Sequence, residues 1–139
     1  MSVETFYERV GGEAFFTSLV NSFYEQVPSS PHLAPMYPLK DLAGANQRLR
    51  LFLMQYWGGP TTYDELRGHP RLRMRHMPYT IDIAARDAWM EIMTAAVKAQ
   101  NISADLEAEL MDYLQSTARF LINTGEDEQI KWGNPNEPN

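Results

Sequence analysis

The sequence predicts an all-α domain, and three of its features carry that expectation. Apolar residues recur three and four apart almost throughout the chain. No segment sustains a period of two between hairpin turns, so no strand is expected. Glycine and proline gather between the periodic segments, where they punctuate helices. At 139 residues the chain is long enough for one domain with a substantial core and too short for two enzyme-sized ones. Its 44% hydrophobic and 22% charged residues are the composition of a globular protein.

Each element has its own local reason. Thr5 and Glu8 stand at capping-box spacing, so a short helix runs from there to Gly11-Gly12. Phe15, Leu19, Phe23 and Val27 then form one i,i+4 row, and Phe16, Val20 and Tyr24 form the row beside it. Together they give a wide apolar face on a helix of about four turns, which Pro28 and Pro31 end. Residues 28–41, with Pro35 and Pro38 as well, have room only for a short helical piece and turns. Asp41 is placed to cap the next helix, whose apolar positions are Leu42, Ala45, Leu49, Phe52, Leu53, Tyr56 and Trp57. Gly58-Gly59-Pro60 stops it.

Residues 60–70 read as loop with a turn of helix, and a short helix from Arg71 to His76 fits between Pro70 and Pro78. Asp82 caps a long helix with Ile83, Trp89, Ile92, Met93, Ala96 and Val97 on its apolar side. Ser103 caps the last, with Leu106, Leu110, Tyr113, Leu114, Thr117 and Leu121. Residues 125–139 are polar and repeat asparagine, and they read as a mobile tail beyond a domain of residues 1–124.

Charge and composition exclude several functions. A formal net charge of -6 makes the chain a poor general binder of nucleic acid or of an anionic membrane. The N-terminus lacks the apolar run of a signal peptide, and no stretch approaches the ~20 apolar residues of a bilayer span. A soluble, cytoplasmic protein is expected. With no cysteine there is no disulfide, thiolate zinc site, iron–sulfur cluster or thiol nucleophile. The histidines are His32, His69 and His76, without an HExxH pair. No GxGxxG, P-loop or GxSxG pattern is present.

One cofactor asks the protein for a single histidine. Haem takes a neutral imidazole on one face, leaves the other for a diatomic gas, and otherwise needs apolar walls and cations for its propionates. His76 stands in a stretch crowded by Arg67, Arg71, Arg73 and Arg75, and the chain carries 8 methionines and 12% aromatic residues. The same residues also fit a bland account: a surface histidine, a solvated arginine face and ordinary core packing.

The stretch Leu49–His76, LRLFLMQYWGGPTTYDELRGHPRLRMRH, resembles the signature of the group II (O-type) truncated haemoglobins of bacteria. Supporting pieces are Phe6-Tyr7, Val10-Gly11-Gly12, Phe23-Tyr24, Met36-Tyr37-Pro38, Arg86-Asp87-Ala88-Trp89 and Asp112-Tyr113-Leu114, so the likeness spans residues 5–123. It implies a truncated globin, a two-over-two helical sandwich around haem b. By that resemblance His76 is the iron ligand on the proximal side and helix 42–57 covers the distal side. Tyr24, Tyr37 and Trp89 fall on the distal positions, where O–H and N–H donors stabilise a polarised ligand by about 1–3 kcal/mol each. Ala45 takes the gate position. Helix 42–57 has no histidine, so a sixth ligand from the pocket would be water or the phenolate of Tyr24 or Tyr37. Leu49 and Phe52 are expected against the haem, with Arg48, Tyr56, His69 and Arg73 as contacts for its propionates.

The implied function is capture of O2, CO, NO or other small ligands at high affinity with slow release. The alternative is a redox enzyme, peroxidase-like or running NO/O2 chemistry, fed by an external reductase because the chain has no flavin- or nicotinamide-binding domain. A haem-based sensor is a third reading, with no signalling domain to support it.

Overall fold

A computed structural model describes residues 4–68, 76 and 81–122. The expected short helix before Pro78, apart from His76 itself, lies outside those residues, as does the expected tail at 125–139.

Local chemistry sets the element ends. Helix α1 is Phe6–Val10; the Thr5 side chain accepts from the Glu8 N–H while the Glu8 carboxylate accepts from the Thr5 N–H at 2.9 Å, the full capping box. Gly11, at φ 118°, turns the chain into α2, Gly12–Gln26. Both apolar rows of α2 are buried, from Phe15 and Phe16 to Phe23 and Tyr24. Three short 3-10 turns follow at Val27–Ser29, Ala34–Met36 and Leu39–Asp41. They are tied by Ser30, whose Oγ accepts from the Leu33 N–H and whose carbonyl accepts from the Ala34 N–H.

Asp41 caps α3, Leu42–Tyr56, by accepting from the Gly44 N–H at 3.1 Å. Trp57 caps the far end of α3 and lies outside the helix itself. Helix α4 is Thr62–Arg67. Asp82 caps α5, Ile83–Lys98, and Ser103 caps α6, Ala104–Phe120. There is no strand among the described residues.

Helix α2 packs on α3, α5 packs on α6, and α2 crosses onto α5. This is the two-over-two arrangement, and its core centres on Phe16, Leu19, Val20, Phe23, Met93, Val97 and Leu110, each fully buried. The N-terminal turn is latched to the end of α3. The Tyr7 N–H donates to the Trp57 carbonyl at 3.0 Å, and the Phe6 and Trp57 rings lie 4.2 Å apart.

One apolar expectation is corrected. Ile83 is 48% exposed, and Ala85 is buried instead. Ala85, Trp89, Met93 and Ala96 make the inward row of α5, and Ile83 lies about 200° around the helix from Ala85.

Candidate functional site

A cavity of about 330 Å³ lies between the two helix pairs. It falls in the size range of small-molecule sites. Helix α3 supplies one wall because Ala45, Arg48, Leu49, Phe52 and Leu53 repeat on a single helical face. Tyr24 comes from α2, Tyr37 from the turns, Ala85 and Trp89 from α5, and Tyr113, Leu114, Thr117 and Ala118 from α6. His76, helical and partly buried, lines the same cavity.

The aromatic donors are held by Phe23. Its ring lies 5.0 Å from Tyr24, 5.6 Å from Trp89 and 6.3 Å from Tyr37, and Tyr24 meets Tyr37 edge to face at 5.7 Å. These tilted contacts fix each ring through packing. The Tyr24 hydroxyl donates to the Ala45 carbonyl at 3.3 Å, a long bond. Burial pushes the Tyr24 phenol well above its ordinary range. The neighbouring Tyr37 phenol adds to that and the Arg48 guanidinium opposes it. Tyr24 is therefore a neutral donor, and drawing it into phenolate ligation runs against its burial. The Trp89 indole N–H has no acceptor among the described residues.

Arg48 is partly buried at the cavity wall and makes no ion pair or hydrogen bond among the described residues. Arg86 also lines the cavity but is engaged by Asp87 at 2.7 Å. Among the described residues no group of three or more His, Cys, Asp or Glu side chains converges as a metal cluster. The cavity instead offers one imidazole, apolar walls, neutral N–H and O–H donors and an unpaired guanidinium. That donor set fits haem, which brings four of its own iron ligands and carries two carboxylates.

Of the expected site residues, Tyr24, Tyr37, Ala45, Arg48, Leu49, Phe52, His76 and Trp89 all line this cavity. Tyr56 does not. It lies one turn beyond Phe52, is 53% exposed, and stacks on Tyr113. His69 and Arg73 lie outside the described residues. His32 is exposed and away from the cavity. Sequence reasoning missed Tyr63, Tyr113 and Thr117 as cavity residues. For the last two a signal exists: a tyrosine and a threonine at i,i+4 on the leucine-lined face of α6.

The bacterial-like globin family matches residues 5–123. The group 2 truncated haemoglobin YjbI of Bacillus subtilis is 39% identical over 122 residues, covering 88% of this chain and 91% of that protein. A thermostable haemoglobin of the actinobacterium Thermobifida fusca superposes with a TM-score of 0.86 at 56% identity, over 88% of this chain and all of that one (100%). A truncated oxygen-avid haemoglobin from Bacillus subtilis superposes with a TM-score of 0.81 at 38% identity, over 86% of this chain and 100% of its own.

Proposed function

The chain belongs to the bacterial-like globin family, in its group II truncated haemoglobin branch, and from that premise we propose that it holds haem b through His76 and captures O2 and other diatomic ligands with high affinity and slow release. The observation that carries this reading is the Trp89 indole N–H, free of any acceptor among the described residues, on the same cavity as the His76 imidazole. The relative described as oxygen-avid supports it. Haem supplies the iron at which a diatomic ligand binds reversibly.

The chain's own residues then set affinity. His76 would hold the iron through an imidazole nitrogen. The Trp89 indole N–H would be the donor to a diatomic ligand that gathers negative charge, and the neutral Tyr24 phenol, which donates to the Ala45 carbonyl, would be the second donor. Ala45, small and buried at the wall, leaves room for ligand access. Leu49, Phe52 and Leu53 exclude water, which strengthens those hydrogen bonds. Arg48 neutralises a propionate, and Arg73 and His69 are further contacts for the acid groups. The binding unit is residues 1–124, working in the cytoplasm. Among the described residues no helix is long and apolar enough to cross a membrane.

The test is the absorption spectrum of purified protein, ferric, ferrous, and under O2 and CO. A Soret band, five-coordinate ferrous features and a stable oxygenated form are expected, and His76→Ala should lose the haem or the five-coordinate signature. Unaltered spectra in His76→Ala would refute the ligand assignment. A second reading, peroxide or NO/O2 chemistry with an external reductase, is favoured by one observation: a stacked tyrosine pair, Tyr113 and Tyr56, leads from the cavity to the surface.

A further inference from the structure

Helix α4 is too short to hold itself. Its 6 residues, Thr62–Arg67, fall well below the length at which a helix persists alone in water. Helices α1, α3, α5 and α6 each begin with a side chain that accepts from a backbone N–H of the first turn. Thr61, at the same position before α4, does not. Its hydroxyl donates instead to the Glu65 carboxylate at 3.2 Å. The N–H groups of that first turn still need acceptors.

The acceptor comes from α3. The Asp64 N–H, in the first turn of α4, donates to Gln55 Oε1 at 2.9 Å, and Gln55 Nε2 donates to Asp64 Oδ1 at 3.0 Å. Both ends of one amide meet both polar groups of one residue, which fixes the way the amide points. One turn earlier on α3, the Phe52 ring meets Tyr63 edge to face at 5.7 Å. Gln55 is placed for this by the end of α3, where its own carbonyl accepts from the Gly58 N–H at 3.2 Å.

What α4 turns to the cavity is Tyr63 and Arg67, four apart in the chain and so on one helical face. Asp64, Glu65 and Leu66 between them are exposed. The helix is thus a single layer with the cavity on one side and water on the other. The chain continues from it to His76.

We propose that Gln55 is a positioning residue for the cofactor: by capping α4 from outside, it keeps that helix closed over the cavity and sets how fast haem escapes, an inference that rests on haem occupying the cavity. Haem must pass a wall to enter or leave, and α4 is the wall helix whose first turn is capped by another element. Breaking the pair leaves Tyr63 on Phe52 but strands the Asp64 N–H, so the first turn unwinds more often. Tyr24 and Trp89 stand on α2 and α5, so their contacts with a bound ligand are untouched.

The experiment follows haemin transfer from the ferric protein to excess apomyoglobin at neutral pH by the Soret band. It compares wild type, Gln55→Met, Gln55→Glu, Asp64→Asn, and Gln55→Glu combined with Asp64→Asn. Gln55→Met keeps the stem and removes both hydrogen bonds, and haem should leave roughly three- to tenfold faster. Gln55→Glu sets one carboxylate against another and should lose haem at least as fast. Asp64→Asn keeps an acceptor and the N–H and should resemble wild type. The double variant rebuilds the pair with the side-chain donor and acceptor exchanged, and slow haem loss should return. O2 dissociation should be the same throughout. Wild-type haem loss in Gln55→Met, or a double variant as leaky as Gln55→Glu alone, would overturn the latch and leave the haem reading standing. O2 release that quickens in step with haem loss would overturn it as well, since the whole cavity would then have loosened. A wild-type protein that takes up no haem would overturn the haem reading and the latch with it.

Discussion

Replacing Trp89 by Phe removes the indole N–H together with one of the two fused rings and keeps an aromatic ring on the cavity wall. The ring contact with Phe23 at 5.6 Å has an aromatic partner in either case. The indole N–H bonds to nothing among the described residues, so its bond to a polarised ligand costs no existing partner and is worth about 1.5–3 kcal/mol. At about 1.4 kcal/mol per tenfold, O2 should leave roughly 10- to 150-fold faster. Tyr24 gives the internal comparison. Its hydroxyl already holds the Ala45 carbonyl at 3.3 Å, so turning to the ligand exchanges one bond for another. A net worth of about 0.5–1 kcal/mol gives Tyr24→Phe only a roughly two- to fivefold faster release. The assay is O2 dissociation by CO replacement in a stopped-flow instrument, with CO dissociation measured in parallel because bound CO gathers little charge. The reasoning fails if Trp89→Phe speeds O2 and CO release equally, or if Tyr24→Phe has the larger effect.

Two further outcomes concern stability. Tyr113, held at about 12 against an ordinary 10.0, keeps its proton in the folded state where the unfolded chain has lost it. Below pH 10 this phenol leaves stability unchanged; between there and pH 12 it withdraws roughly 2–3 kcal/mol. Tyr113→Phe should therefore flatten part of the alkaline fall in urea-unfolding free energy, and identical slopes in the two proteins would contradict the burial argument. Gly58 sits at φ 100°, and a Cβ there would come 2.6 Å from that of Thr5. Gly58→Ala should cost about 2–4 kcal/mol, read as a lower urea midpoint at unchanged m; a loss under about 1 kcal/mol would mean the latch between α1 and α3 yields freely.

What was legible in the sequence was local. The caps at Thr5, Asp41, Asp82 and Ser103 act within three residues of themselves, and the two rows of α2 repeat within one helix, so spacing alone exposes them. Ile83 misled because an apolar residue beside a cap looks like the start of an apolar face, although the true row begins at Ala85. Tyr56 misled for a different reason. Its place on α3 continues the cavity face, but the cavity ends before it, where α6 brings Tyr113 against its ring. No pattern within α3 encodes where another helix crosses. The distal aromatics were legible only through family likeness, since spacing alone reads Tyr24 and Trp89 as core. Arg48, expected as a propionate contact through the same likeness, also carries a signal of its own, a guanidinium on the face that Ala45, Leu49 and Phe52 make apolar.

The cavity's walls are recruited from Tyr24 to Leu121, and they enclose about 330 Å³ between them. Whatever fills that space supplies contacts that a solid core would have supplied from side chains. Folding and filling are then linked by mass action: a group that binds only the folded chain stabilises it by an amount that grows with its concentration. The protein's lifetime in a cell would accordingly follow the supply of haem. Chains made in excess of it would open more often and be the first cleared by proteases, so the amount of folded globin would track the iron economy without a separate regulator.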